Sequence, residues 1–179
     1  MDTHFALVGL SGTGKSSVAP RLARRWAIDA VDLDREIESS AGADVASLFA
    51  TEGVDAFRDR ESIALRSALE GAPSVIATGG GVVCREANRD LLVSQAIVVW
   101  LRAEIGVLVD RLSTSAERRP LLDGDAGSAL RELALEREPL YRSVADVAVD
   151  VTDKTRPEVV DAVASEVERL LARRERTAR

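Results

Sequence analysis

One stretch near the start of the chain, Gly9-Leu10-Ser11-Gly12-Thr13-Gly14-Lys15-Ser16, narrows its possible folds more than any other. It fits the pattern G-x-x-x-x-G-K-[ST] at every fixed position. Before it, Phe5-Ala6-Leu7-Val8 is an apolar run suited to a buried strand. After it, Val18, Ala19, Leu22 and Ala23 recur at the spacing of one helical face. Strand, glycine loop and helix in that order let backbone N–H groups wrap a phosphate chain, and the helix N-terminus adds partial positive charge. Gly12, Thr13, Gly14, Lys15, Ser16 and Ser17 are therefore the candidate nucleotide-binding residues. Lys15 can reach the β- and γ-phosphates and the Ser16 hydroxyl can ligate Mg2+. The motif predicts a nucleoside triphosphate as ligand.

A length of 179 residues points to one domain with a full core. The fractions of 46% hydrophobic and 30% charged residues are those of a soluble globular protein. No apolar run approaches the ~20 residues of a membrane span, and the first strand leaves no room for a signal peptide, so a cytoplasmic location is expected. A net charge of −6 argues against a general nucleic-acid binder. The arginines between Arg169 and Arg179 are diluted by Glu166, Glu168 and Glu175 and read as a solvated helix end. One cysteine, Cys84, allows no internal disulfide, and one histidine, His4, provides no zinc set. Structural or incidental roles are expected for both.

Residues 27–34 read as a second strand ending in Asp32 and Asp34, whose alternation would point both carboxylates the same way. Residues 36–70 hold no strong strand and read as a helical insertion. Asp44 opens one piece of it, Gly53 interrupts, and Arg58 and Glu61 share a face further on. Ser74 to Thr78 is a third strand running into Gly79-Gly80-Gly81, where close approach of a ligand is expected. A short helix over 86–94 precedes a fourth strand, Ala96 to Leu101, apolar enough to be buried on both faces. Residues 104–112 are helical, 113–127 lack periodicity and carry Arg118, Arg119 and Pro120, and Ser128 to Glu138 return to helix, ending before Pro139. The last strand spans Ala145 to Val151, and Pro157 opens the final helix. Strands alternating with helices predict an α/β fold, a three-layer arrangement around a five-stranded parallel sheet.

A phosphate loop alone suits a motor, a switch GTPase, an ATPase module or a small-molecule kinase. No guanine-reading N-K-x-D run is present. The two most buried-looking strands end in Gly79 and Arg102 rather than in a Mg2+-binding acid, which leaves Asp32 and Asp34 as the available carboxylates. The arginine-bearing loop and the second glycine cluster fit a kinase that closes over a small acceptor and excludes water.

Gly9 to Ser16, Asp32-x-Asp34, Phe57-Arg58-x-x-Glu61, Gly79-Gly80-Gly81, Arg119-Pro120-Leu121-Leu122 and Arg137-x-Pro139-Leu140-Tyr141 together resemble the shikimate kinase family, in its order and at about its spacing. The resemblance implies a nucleoside-monophosphate-kinase-like fold with sheet order 2-3-1-4-5. It implies transfer of the γ-phosphate of ATP to the 3-hydroxyl of shikimate, with Mg2+ as cofactor, by a monomer that needs no nucleic acid or membrane. A core at 1–35, 71–112 and 126–172, a shikimate-binding segment at about 36–70 and a lid at about 113–125 are expected on the same ground. Residue by residue, it implies that Asp34 binds the shikimate hydroxyls and orients, or accepts the proton of, the attacking oxygen. Arg58 and Arg137 would hold the shikimate carboxylate, which suits arginine's planar fork. Gly79, Gly80 and Gly81 would line the substrate, the last two offering N–H groups. Ser16 and Asp32 would hold Mg2+, Asp32 through water. Lys15 and Arg119 would act on the phosphates, Arg111 would lie against the adenine, and Glu61 would steady an acceptor-site arginine. The family's adenine loop reads as an Asp shortly before a Pro, and here Asp150 and Pro157 stand one residue further apart, around Asp153 and Lys154. The competing readings are a kinase for gluconate or an aminocyclitol on the same fold, and a non-catalytic ATP-binding module.

Overall fold

The computed structural model describes residues 3–114 and 126–177. Strands β1 (His4–Val8), β2 (Asp29–Asp32), β3 (Ser74–Ala77), β4 (Ala96–Arg102) and β5 (Val147–Asp150) form one sheet in the order β2-β3-β1-β4-β5. Every neighbouring pair is parallel. Helices α1 (Lys15–Trp26), α2 (Leu33–Ala41), α3 (Val45–Glu70), α4 (Glu86–Gln95), α5 (Ile105–Ser113), α6 (Ala126–Val144) and α7 (Arg156–Thr177) provide the crossovers. The expected architecture and strand order are both present.

The central strands are buried on both faces, and the period-two alternation of their side chains divides the core in two. Phe5, Leu7, Val75, Val99 and Leu101 pack with α1 and α7 on one side. Ala6, Val8, Ile76, Val98 and Trp100 pack with residues of α3, α4, α5 and α6 on the other. Ile37, Leu48 and Phe57 make a small third cluster that ties α2 to α3. Among the described residues no helix is long and apolar enough to cross a membrane. His4 is buried with its Nδ1 3.2 Å from Ser74 Oγ, a structural position, as expected.

Two local expectations are corrected. The second strand stops at Asp32, and Asp34 lies in the first turn of α2 instead of on the strand. Asp32 is the N-cap, with its carboxylate accepting the Arg35 N–H at 3.4 Å, and Asp34 and Glu36 add negative charge to the positive end of the helix. The helical insertion thus begins at Leu33, not at residue 36. The sixth helix, in turn, does not end before Pro139 but runs through it to Val144. A proline inside a helix costs about 3 kcal/mol. The face made by Leu130, Ala134, Arg137, Tyr141 and Val144 is buried and continuous across it, and burying Tyr141 and Val144 outweighs that cost. The break at Gly53 is present as a kink inside α3, at φ 83° and ψ 175°.

Candidate active site

The carboxyl ends of β1 and β3 open onto the site. Leaving β1, the chain turns at Gly9, where a Cβ would lie 2.2 Å from the Leu101 carbonyl oxygen, so only glycine lets the loop start this close to β4. The loop then winds into α1 at Gly14. Lys15 is 7% exposed and donates from Nζ to the carbonyls of Gly9 at 2.8 Å and Leu10 at 3.0 Å. The ammonium is therefore held over the loop that would wrap the phosphates. Around it lies a cleft of about 550 Å³ lined by Ser11 to Val18, Asp34, Thr78, Gly80 and Arg111, and by Lys154, Thr155 and Arg156 from the loop after β5. The Arg111 guanidinium donates to Val151 O at 2.9 Å, to Thr152 O at 3.3 Å and to Gly12 O at 3.5 Å. It ties the loop after β5 to the phosphate loop.

A second group of side chains meets on the glycine turn. A Cβ at Gly79 would lie 2.4 Å from Glu61 Oε1 and 3.0 Å from Asp34 Oδ1. At Gly81 it would lie 2.0 Å from the Arg58 guanidinium, whereas at Gly80 nothing comes nearer than 3.6 Å. The protein's own side chains thus crowd two of the three glycines, besides any ligand expected there. At Gly79 and Gly81 a Cβ would displace the protein's own carboxylates and guanidinium, and Gly80 is the glycine of the three that lines the cleft. Arg58 and Glu61 form a buried ion pair, Nη1 to Oε2 at 2.8 Å, within one turn of α3. Arg137 and Tyr141 of α6 both donate to the Gly80 carbonyl, Arg137 from Nη1 at 3.3 Å.

Burial pushes the Glu61 carboxyl above the usual carboxylate range and the nearby Asp34 adds to this, against the opposing pull of Arg58 and Arg137. Among the described residues, two buried polar atoms of this cluster, Glu61 Oε1 and Arg137 Nε, have no hydrogen-bond partner. A buried, unsatisfied guanidinium nitrogen beside a second guanidinium is a setting built for a carboxylate. Burial also raises the Cys84 thiol against the pull of Arg137 and Arg58, so this cysteine sits at the edge of the same cluster in its less nucleophilic form.

Of the residues expected at the site, Gly12 to Ser17, Asp34, Gly80 and Arg111 share the cleft, and Arg58, Glu61, Gly79, Gly81 and Arg137 gather at the glycine turn beside it. Asp34 belongs to both sets. Asp32 caps α2 at the end of β2 and does not line the cleft. Arg118 and Arg119 lie outside the described residues. Sequence reasoning gave Tyr141, Thr155 and Arg156 no contact here. The Tyr141 bond joins residues 61 positions apart, which no local pattern reveals.

Known proteins resemble this chain along most of its length. A family model described as shikimate kinase matches residues 11–168. The chain belongs to the shikimate kinase family. A shikimate kinase of Symbiobacterium thermophilum is 44% identical over 97% of this chain and 99% of its own. The solved shikimate kinase of Acinetobacter baumannii, in complex with shikimate, superposes with a TM-score of 0.88 at 31% identity over 92% of each chain. A gluconokinase structure from Sinorhizobium meliloti has a TM-score of 0.65 at 20% identity, a likeness of fold alone. Membership of the shikimate kinase family makes the chain a phosphotransferase with ATP as co-substrate.

Proposed function

We propose that this chain performs the family's reaction, transfer of the γ-phosphate of ATP to the 3-hydroxyl of shikimate, with the residues gathered at the cleft and glycine turn. The observation that carries this reading is the position of Asp34, which faces the phosphate-loop cleft and also lies against Gly79 beside Arg58, Glu61 and Arg137. An acid between a phosphate site and two guanidinium groups suits an acceptor with both a hydroxyl and a carboxylate.

Arg58 and Arg137 would take the shikimate carboxylate, and Glu61 would hold Arg58 in the orientation for it. Gly80 and Gly81 would offer N–H groups to the ring substituents. Asp34 would bind the attacking hydroxyl and orient it or accept its proton as the new O–P bond forms and the bond to the β-phosphate oxygen breaks. Lys15 would move from the Gly9 and Leu10 carbonyls to the β- and γ-phosphates, where transferred charge develops. Arg111 and the loop after β5 would flank the adenine. Segment 36–70, which supplies Arg58 and Glu61, would be the acceptor-binding part, and segment 113–125, with Arg119, the lid.

The exposed Ser16 hydroxyl and the Asp32 carboxylate are oxygen donors that suit Mg2+. Ser16 would hold the ion directly and Asp32 through water, and the ion would neutralise charge on the phosphate oxygens. The reading needs no second subunit, because the residues proposed for both substrates belong to a single chain, and the enzyme is proposed to act as a monomer.

A coupled assay of ADP release with shikimate, with gluconate and without acceptor tests the reading. Mg-ATP turnover with shikimate, and much slower release without acceptor, is expected. Turnover on gluconate with none on shikimate would assign the chain to the other polyol.

A further inference from the structure

The Gly80 carbonyl takes two hydrogen bonds from one helix, from Tyr141 and from Arg137 four residues before it. The Tyr141 ring is fully buried and tilted against Trp100, centroids 6.1 Å apart. Burial pushes its phenol well above the usual range, so it remains a proton donor. Three consecutive glycines make a segment in which a peptide plane turns over at little steric cost, because neither flanking residue has a Cβ. A carbonyl held from one side by two donors removes that freedom.

The consequence falls on the next N–H. The described residues contain no cis peptide, and across a trans peptide the carbonyl and the following N–H point in opposite directions. Fixing the Gly80 carbonyl on α6 therefore turns the Gly81 N–H away from α6. The turn's own backbone bonds run from Val82 N to Gly79 O at 3.3 Å and from Cys84 N to Gly81 O at 2.9 Å. Neither the Gly80 nor the Gly81 N–H has an acceptor among the described residues. Such donors are spare for a ligand oxygen.

We infer that Tyr141 is a positioning residue for the acceptor, its hydroxyl locking the Gly80–Gly81 peptide so that the Gly81 N–H is a fixed donor to shikimate. This rests on the acceptor site proposed above. Because Arg137 comes from the same helix, α6 sets a carboxylate ligand and a backbone donor in one register.

Tyr141→Phe keeps the ring and removes the bond. It should raise the KM for shikimate about tenfold, with the KM for ATP within about twofold of wild type and the thermal midpoint within a few degrees. A shikimate KM within about twofold of wild type, or an equal rise in both KM values, overturns the inference. Wild-type turnover on shikimate tests the functional reading separately, so the two can fail independently. Tyr141 is the chain's one tyrosine, so 3-fluorotyrosine incorporated throughout reports on this site even should Tyr141→Phe not fold. Saturating shikimate should shift its fluorine resonance and ATP alone should not. An unmoved resonance with shikimate overturns the inference as well.

Discussion

The Arg58 guanidinium stands so close over Gly81 that a methyl group on that residue would lie 2.0 Å from it. Arg58 is 7% exposed and paired with the fully buried Glu61. A guanidinium normally swings aside from a new methyl group, but this one would have to leave its ion pair to do so. Gly81→Ala should therefore lose most shikimate binding and several degrees of thermal stability. Gly80→Ala meets ordinary contacts, 3.6 Å at the nearest. It should keep the wild-type melting temperature while obstructing the cleft. Thermal melts and shikimate KM values of the two variants check this, and equal melting temperatures would show that Arg58 yields freely.

Glu61 links this ion pair to pH. Its carboxyl is raised above its ordinary value of 4.5 chiefly by burial. An acid whose folded pKa exceeds its unfolded one contributes stability that is full below the unfolded value and lost as pH rises through the folded one. Ionised Glu61 is thus tolerated, through Arg58, at some cost to the fold. Urea unfolding of wild type and Glu61→Gln across a pH series should show the wild type's relative stability falling as pH rises from about 4.5. A difference that grows with pH would mean that the Arg58 charge outweighs burial. At neutral pH the same variant should raise the shikimate KM, because an amide holds Arg58 less firmly than a carboxylate.

The phosphate loop, the α/β class and the strand boundaries near Val8 and Ala77 were legible because each depends on local spacing. Local alternation carries the strand reading two residues too far, through Leu33 and Asp34, although Asp32 followed by Asp34 and Glu36 is a helix-start pattern. Pro139 was given more weight than the buried stripe from Leu130 to Val144 that carries α6 through it. The crowding of Gly79 by Glu61 and Asp34 and the bond of Tyr141 to Gly80 depend on packing between distant segments, which periodicity does not encode. The resemblance locates the residues of the glycine turn, and the packing adds a reason for two of its glycines.

Lys15 and Asp34 should fail in different ways. Lys15 would act on charge developing at the transferred phosphoryl group, so Lys15→Ala should lower kcat by about three orders of magnitude with shikimate affinity largely kept. Asp34→Asn keeps the size and removes the charge beside Gly79, so it should impair both the shikimate KM and kcat. Steady-state kinetics with each substrate varied separate the two. Wild-type constants in Asp34→Asn would remove Asp34 from the mechanism.

Arg111 joins two parts of the cleft that the chain itself does not connect. Its Nη2 holds the carbonyls of Val151 and Thr152 at the end of β5, while Nη1 reaches Gly12 in the phosphate loop. The loop after β5 carries Lys154, Thr155 and Arg156 into the cleft. Without the guanidinium that loop loses its tie to the phosphate loop, and the nucleotide must order it on binding. Hydrogen bonds from a charged donor are worth about 1.5–3 kcal/mol, and partial exposure of Arg111 places its contribution toward the lower end. At about 1.4 kcal/mol per factor of ten, Arg111→Ala should raise the KM for ATP about tenfold. The shikimate KM should stay near wild type, because among the described residues no hydrogen bond or ion pair joins Arg111 to Arg58, Arg137 or the glycine turn. The pattern is the converse of that expected for Tyr141→Phe, so measuring both variants in one assay gives each an internal control. A rise in the shikimate KM of Arg111→Ala equal to that for ATP would mean that the two halves of the cleft are coupled through α5, and that nucleotide and acceptor residues do not act separately.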